Sequence, residues 1–334
     1  MIKHMTKLTG WTASLVALAA TASADIKVND YISLNGYAAA AATYSDNSAP
    51  AKNVSTLFNS GSNELDSLKI AALGKYGDFG GKVSLLYIPT RGGSNSGIQD
   101  IYATYTKEEF TVTAGKFLSY LGYEAFDPNN MTQLTYGTTI FAVPAYHTGA
   151  KVDYSTKTWG AGVAVIDSVF SGGGFLQGDG NFKRVGSEAY ITYTGIDKLT
   201  LWAGAAYDDF NKNLVAAPTP DVAILDFWAS YSLNAKTTLA AEFDTEESVG
   251  KGYLAEVQYA FTDKFSGIAR FSVKENAHGD TGTYYTLAPT YKVTSALSVR
   301  GEVSYADSAE ATNGAYGLLS TQGFFYGVQA IFAF

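Results

Sequence analysis

Apolar and polar positions alternate along most of this 334-residue chain. One early stripe runs through Ile32, Leu34, Gly36, Ala38, Ala40 and Ala42. Others follow through Leu199, Leu201, Ala203, Ala205 and Tyr207, through Tyr253, Ala255, Val257, Tyr259 and Phe261, and through Phe265, Gly267, Ala269, Phe271 and Val273. Leu297, Val299, Gly301, Val303 and Tyr305 make a late one. The residues between them are mostly Lys, Glu, Gln, Ser, Thr, Arg and Gly, and Tyr and Phe gather at the segment ends. A period of two marks a strand whose faces meet different surroundings, and about sixteen such segments can be traced.

The connections alternate as well. Short links occur at Gly77-Asp78, Lys107-Glu108, Thr156-Lys157, Ile196-Asp197, Asn234-Ala235, Asp263 and Ser295. Longer ones lie between them, at residues 45–63, 91–96, 120–144, 170–183, 209–220, 247–250, 275–282 and 306–321. A soluble sandwich has no reason to sort its connections by parity. The pattern predicts an all-β fold: a transmembrane antiparallel β-barrel of about sixteen strands, with short periplasmic turns and long extracellular loops. No mature segment approaches the roughly twenty continuous apolar residues of a spanning helix.

Both ends fit this plan. Lys3 and Lys7 precede an apolar run from Leu8 to Ala20, then Ala22-Ser23-Ala24 supplies a small-x-small cleavage site. Residues 1–24 therefore read as a cleaved secretory signal, and residues 25–334 as one barrel domain. At the other end Phe334, Phe332, Ala330, Val328, Tyr326 and Phe324 form an unbroken apolar face. It resembles the terminal strand of bacterial outer-membrane barrels, with Phe334, Phe332 and Tyr326 as an assembly signal for the barrel-assembly machinery.

Composition narrows the function classes. The chain holds 24 Tyr, 19 Phe and 34 Gly but no Cys. Without the leader, 21 basic face 31 acidic residues, a net charge of −10 that argues against a nucleic-acid partner. His147 and His278 lack any hydrolase signature around them, so no enzymatic activity is expected. Gly178-Asp179-Gly180-Asn181 lacks the spacing of a calcium loop, and no Lys-Ser/Thr follows Gly172-Gly173-Gly174, so neither a metal nor a cofactor is expected.

One stretch is more specific. Gly115-Lys116-Phe117 is followed by Gly122-Tyr123-Glu124, then Asn129 and Asn130, then His147-Thr148-Gly149. In that order the elements resemble the OmpL-like β-barrel porin family, although Ser119-Tyr120 stands where the family pattern leads one to expect Thr-Pro. The resemblance implies a passive pore for small hydrophilic solutes and ions in the outer-membrane lipid, a homotrimer by analogy with general porins, and a third long loop folded into the lumen. Gly115, Lys116, Phe117, Gly122, His147 and Gly149 would anchor that loop, and Glu124 and Asp127 would bring negative charge to the constriction.

Strand parity points Lys82, Lys151, Arg270 and Arg300 inward, because an Arg or Lys on the lipid face costs about 2–4 kcal/mol at mid-membrane. Arg270 and Arg300 are the candidates for a basic face opposing Glu124 and Asp127, or else pair with wall neighbours such as Glu256 and Glu302. Two other functions share the fold. Tyr120, Tyr123, Phe126, Tyr136, Phe141 and Tyr146 would stack sugars in a substrate-specific channel, and long loops rich in Asn, Ser, Thr and Gly would suit an occluded, adhesive barrel.

Overall fold

The computed structural model describes residues 25–47, 53–55, 65–90, 93–137, 144–170, 185–208, 221–247, 249–308 and 322–334. Its strands are β1 (Ile26–Lys27), β2 (Ile32–Asn47), β3 (Asn53–Ser55), β4 (Ser67–Tyr76), β5 (Phe79–Thr90) and β6 (Gly93–Lys107). Next come β7 (Phe110–Leu118), β8 (Tyr146–Ser155), β9 (Trp159–Ile166), β10 (Gly186–Ile196), β11 (Leu199–Asp208) and β12 (Val222–Asn234). The last are β13 (Thr237–Glu246), β14 (Gly250–Ala260), β15 (Phe265–Asn276), β16 (Thr281–Lys292), β17 (Leu297–Ser308) and β18 (Gly323–Ala333). Apart from the short β1 and β3, each strand pairs antiparallel with its sequence neighbours, and β18 pairs back onto β2. The result is a closed barrel of sixteen strands, with no free edge in the ring.

Side chains sort as the alternation requires. On β14, Tyr253, Ala255, Val257 and Tyr259 are exposed on the outside while Leu254, Glu256 and Gln258 are buried inside. Aromatic pairs gather near the short-turn rim, among them Phe79–Tyr105, Phe110–Tyr154, Trp159–Tyr193 and Phe261–Phe265. A second group lies toward the other rim, with Phe271–Tyr285 and Tyr305–Phe324. These are the two interfacial girdles of a membrane barrel. Among the described residues no helix is long and apolar enough to cross a membrane.

The short links are tight turns, and three of them need a left-handed residue: Gly77 (φ 58), Glu108 (φ 54) and Lys198 (φ 63). Two connections on the opposite rim are shorter than the sequence predicts. β6 begins at Gly93 and pairs with β5 through Thr90, so the expected loop at 91–96 is mostly strand. β14 begins at Gly250, with φ 139, directly after Val249. In both places Gly and small polar residues, which look like loop in sequence, continue a ladder whose partner strand supplies the hydrogen bonds.

The closing seam lies between β2 and β18. Beyond the ladder, Gly36 N–H donates to Phe334 O at 2.9 Å and Phe334 N–H to Gly36 O at 3.0 Å. The rings of Phe332 and Phe334 lie 6.0 Å apart, and Tyr326 stacks on Tyr44 across the seam.

Candidate functional site: a lumen narrowed by its own loop

A sixteen-strand barrel is too wide for wall side chains to fill. Here the segment between β7 and β8 enters the lumen and is bonded to the wall along its length. Its base is built by the two motifs that mark it in sequence, for they are cross-strand partners: Gly115 faces Gly149, Lys116 faces Thr148 and Phe117 faces His147. The glycines are required by crowding. Gly115 has φ 133, and a Cβ there would lie 2.2 Å from Ile101 O; one on Gly149 would lie 2.1 Å from Val165 O. Gly115→Ala should therefore destabilise the folded barrel by about 1–3 kcal/mol, read as a lower urea midpoint. An unchanged midpoint would show that this backbone relaxes without strain.

Above the base, Glu188 of β10 gathers the loop entry. It accepts from Ser119 Oγ at 2.6 Å and Tyr120 N–H at 3.1 Å, and His147 Nε2 lies 2.8 Å from the same carboxylate. A proline at position 120 would lack the N–H that Glu188 uses. Gly122, with φ 102, then turns the chain so that successive amides meet successive wall carboxylates. Gly122 N–H donates to Asp226 and Tyr123 N–H to Glu242, each at 2.6 Å. Burial, then the nearby Glu256, Glu124 and Glu242, push the Tyr123 hydroxyl above its ordinary range, so it stays neutral.

Glu124 and Arg270 meet in a buried ion pair. Glu124 also accepts from Gln133 Nε2 at 2.5 Å and Gly137 N–H at 2.6 Å, while Arg270 donates to Thr135 O at 2.7 Å. Arg300, 1% exposed, lies under the loop and donates to the carbonyls of Pro128, Met131 and Gln133. Its strand neighbour Glu302 accepts from Leu134 N–H at 2.5 Å and Thr135 N–H at 3.0 Å. Asp127 crosses to β4, where Lys69 Nζ reaches it at 2.7 Å. Arg270 and Arg300 thus touch the loop itself instead of facing Glu124 and Asp127 across open space.

The remaining inward positions divide the lumen. On β12 to β17 they are buried: Asp226, Trp228, Glu242, Leu254, Glu256, Arg270, Thr286, Arg300 and Glu302. On β5 to β8 Ser84, Leu86, Ile88, Asp100 and Thr113 are buried too, but the inward positions toward the short-turn ends are half-buried: Lys82, Tyr102, Thr104, Thr106, Thr111, Lys151 and Asp153. The β12–β17 arc is thus covered along its height, while the short-turn end of the β5–β8 arc stays partly open to solvent. Lys82, 22% exposed, pairs with Asp100 at 3.0 Å. Lys151 Nζ sits over the rings of Phe117 and Tyr120, at 4.8 and 4.4 Å from their centroids.

Strand parity also points Glu188, Asp226, Glu242 and Glu302 inward but does not identify them as the loop's acceptors; partners more than sixty residues away carry no local signal. It also misses a row of Tyr190, Trp202 and Trp228, whose neighbouring rings are nearly parallel, with Tyr120 and Tyr123 against its ends. Tyr136 Oη donates to Phe126 O within the loop, and the ring of Phe126 meets that of Tyr146 edge-on. His278 is exposed in the β15–β16 turn. Phe141, Gly172–Gly174, Gly178–Asn181 and residues 1–24 lie outside the described residues.

Known proteins agree with this architecture. The anion-selective porin from Comamonas acidovorans superposes with a TM-score of 0.65 at 12% identity, over 91% of this chain and 99% of that one. The outer membrane channel DcaP of Acinetobacter baumannii gives 0.64 at 11%, over 91% and 97%. The trimer form of in-vitro folded OmpT from Vibrio cholerae gives 0.60 at 15%, over 91% and 99%. No curated protein sequence matches the chain. The family model described as "Putative beta-barrel porin-2, OmpL-like" matches residues 31–334. With sixteen membrane-crossing strands and a lumen narrowed by the loop that carries the motifs, the chain belongs to this family and is an outer-membrane β-barrel porin.

Proposed function

We propose that the barrel is a passive, non-enzymatic channel for small hydrophilic solutes and ions, and that they pass between the docked loop and the β5–β8 wall. The unequal burial of the inner face toward the short-turn rim carries this reading: the covered arc holds the buried ion pair and the loop's acceptors, while the short-turn end of the other arc keeps Lys82, Tyr102, Lys151 and four threonyl or carboxyl side chains partly accessible. With Asp127, 20% exposed, this lining has both signs of charge and favours polar solutes over apolar ones. The loop aromatics support anchoring more than sugar stacking. Tyr123 is only 4% and Tyr146 1% exposed, and a sugar track needs open ring faces.

Planar-bilayer recording of the refolded protein tests this reading. Ohmic steps are expected, and Lys82→Glu with Lys151→Glu should move the zero-current potential in a salt gradient toward cations. A potential that does not move would place the passage elsewhere, and silence from correctly folded barrels would sink the open-channel reading.

Three further features belong to the same proposal. Residues 1–24 are a cleaved export signal, so mature protein should begin at Asp25 on N-terminal sequencing. The outward row ending in Tyr326, Phe332 and Phe334 is offered to the barrel-assembly machinery. The working unit is a homotrimer, for which the trimeric OmpT form is the supporting likeness; chemical cross-linking would detect it.

A further inference from the structure

The short-turn ends of three successive hairpins each carry a lysine: Lys236 directly before β13, Lys264 directly before β15 and Lys292 at the end of β16. Lys236, Lys264 and Lys292 are each 28 residues apart, one hairpin per step. Backbone bonds fix each to the neighbouring strand: Ala260 N–H donates to Lys236 O at 2.9 Å, and Lys292 N–H to Lys264 O at 2.8 Å. Adjacent strands lie about 4.8 Å apart, so the repeat brings successive lysines to within roughly 10 Å of one another.

They line one cavity of about 420 Å³, together with Thr262, Ser266 and Asp263. Ser266 and Lys292 have lumen parity and Phe265 has lipid parity, which puts the cavity at the periplasmic rim. The hydroxyl oxygen of Thr262 accepts from Lys264 N–H and Phe265 N–H, leaving its proton to donate. Among the described residues none of the three ammonium groups is in an ion pair. Elsewhere on the inner face, by contrast, Lys69, Lys82 and Arg270 each meet a carboxylate.

We infer that this cavity is an anion site for a small polyvalent oxyanion of the phosphate type. Its volume falls in the range of small-ligand pockets, about 300–1,000 Å³. Three cations and two hydroxyls line it, groups that suit the oxygens of one ligand, and Asp263 is the single opposing charge in the lining. The inference rests on the open-channel reading and deepens it. The site would concentrate multiply charged anions at the periplasmic mouth, whatever the constriction prefers. A free anion and the headgroup of an anionic phospholipid share this chemistry.

Inorganic pyrophosphate is the probe, with the full barrel in phosphatidylcholine bilayers. Saturable binding is expected by calorimetry. Pyrophosphate added on the short-turn side should also reduce the single-channel current more than the same addition opposite. Lys236→Gln, Lys264→Gln and Lys292→Gln together should weaken binding by roughly ten-fold or more while leaving the KCl conductance in place. Asp263→Asn should tighten it, a gain that misfolding cannot imitate. If binding appears in phosphatidylcholine but vanishes in phosphatidylglycerol bilayers, the site stands and the lipid headgroup is its occupant. Current without any pyrophosphate binding overturns the anion site alone, whereas no current at all overturns the channel reading beneath it.

Discussion

Arg270→Met should raise single-channel conductance several-fold and make the current noisy. The substitution removes the cation from a buried pair and leaves Glu124 without its main partner, a change that costs about 3–5 kcal/mol. That cost does not fall on the barrel, because β15 is held to β14 and β16 by backbone ladders that the side chain does not enter. It falls on loop docking, since Arg270 also holds Thr135 while Glu124 holds Gln133 and Gly137. Part of the loop then leaves the wall and the passage widens. Glu124→Gln combined with Arg270→Met removes the stranded charge and should quieten the current. If Arg270→Met alone conducts like wild type, the loop is held by Arg300, Glu302 and Asp127 without help from this pair.

Gly36→Val should abolish most of the folded barrel. A Cβ at Gly36 would sit 2.1 Å from Lys69 O and 2.9 Å from the Phe334 ring, so β2 cannot keep both its β4 and its β18 partner. Overpacking a side-chain core costs about 1–3 kcal/mol, and here the obstruction is backbone at the one place where the ring closes. The expected result is loss of the compact, heat-modifiable band on cold electrophoresis, with Gly36→Ala intermediate. Normal yield of a compact Gly36→Val barrel would show that the seam has slack.

Much of this architecture is legible in sequence because membrane strands obey a strict rule: lipid on one side forces alternation, and alternation reveals which residues point inward. The stripe Leu199 to Tyr207 and the row Phe324 to Phe332 need no knowledge of their neighbours to be placed. The loop motifs are legible through the family resemblance, and Gly115 and Gly149 stand where a Cβ would meet the backbone of a neighbouring strand. The pairing inside the lumen is not. Glu124 could meet any inward cation, and its choice of Arg270, 146 residues away, is set by the loop's path across the wall. The Gly93–Ser96 segment was hidden differently, because small polar residues join a strand when the partner is long enough to pair with them.

The docked loop also has a mechanical consequence. A closed sheet resists stretching along its hydrogen bonds but flattens easily, since its strands can hinge about one another. Here a single segment is tied to β4 through Lys69, to β10 through Glu188, to β12 and β13 through Asp226 and Glu242, and to β15 and β17 through Arg270, Arg300 and Glu302. It is a strut across the cylinder. Lateral pressure from the surrounding lipid then meets polar bonds spanning the cross-section, and the width of the passage becomes a property of those bonds instead of the bilayer around them.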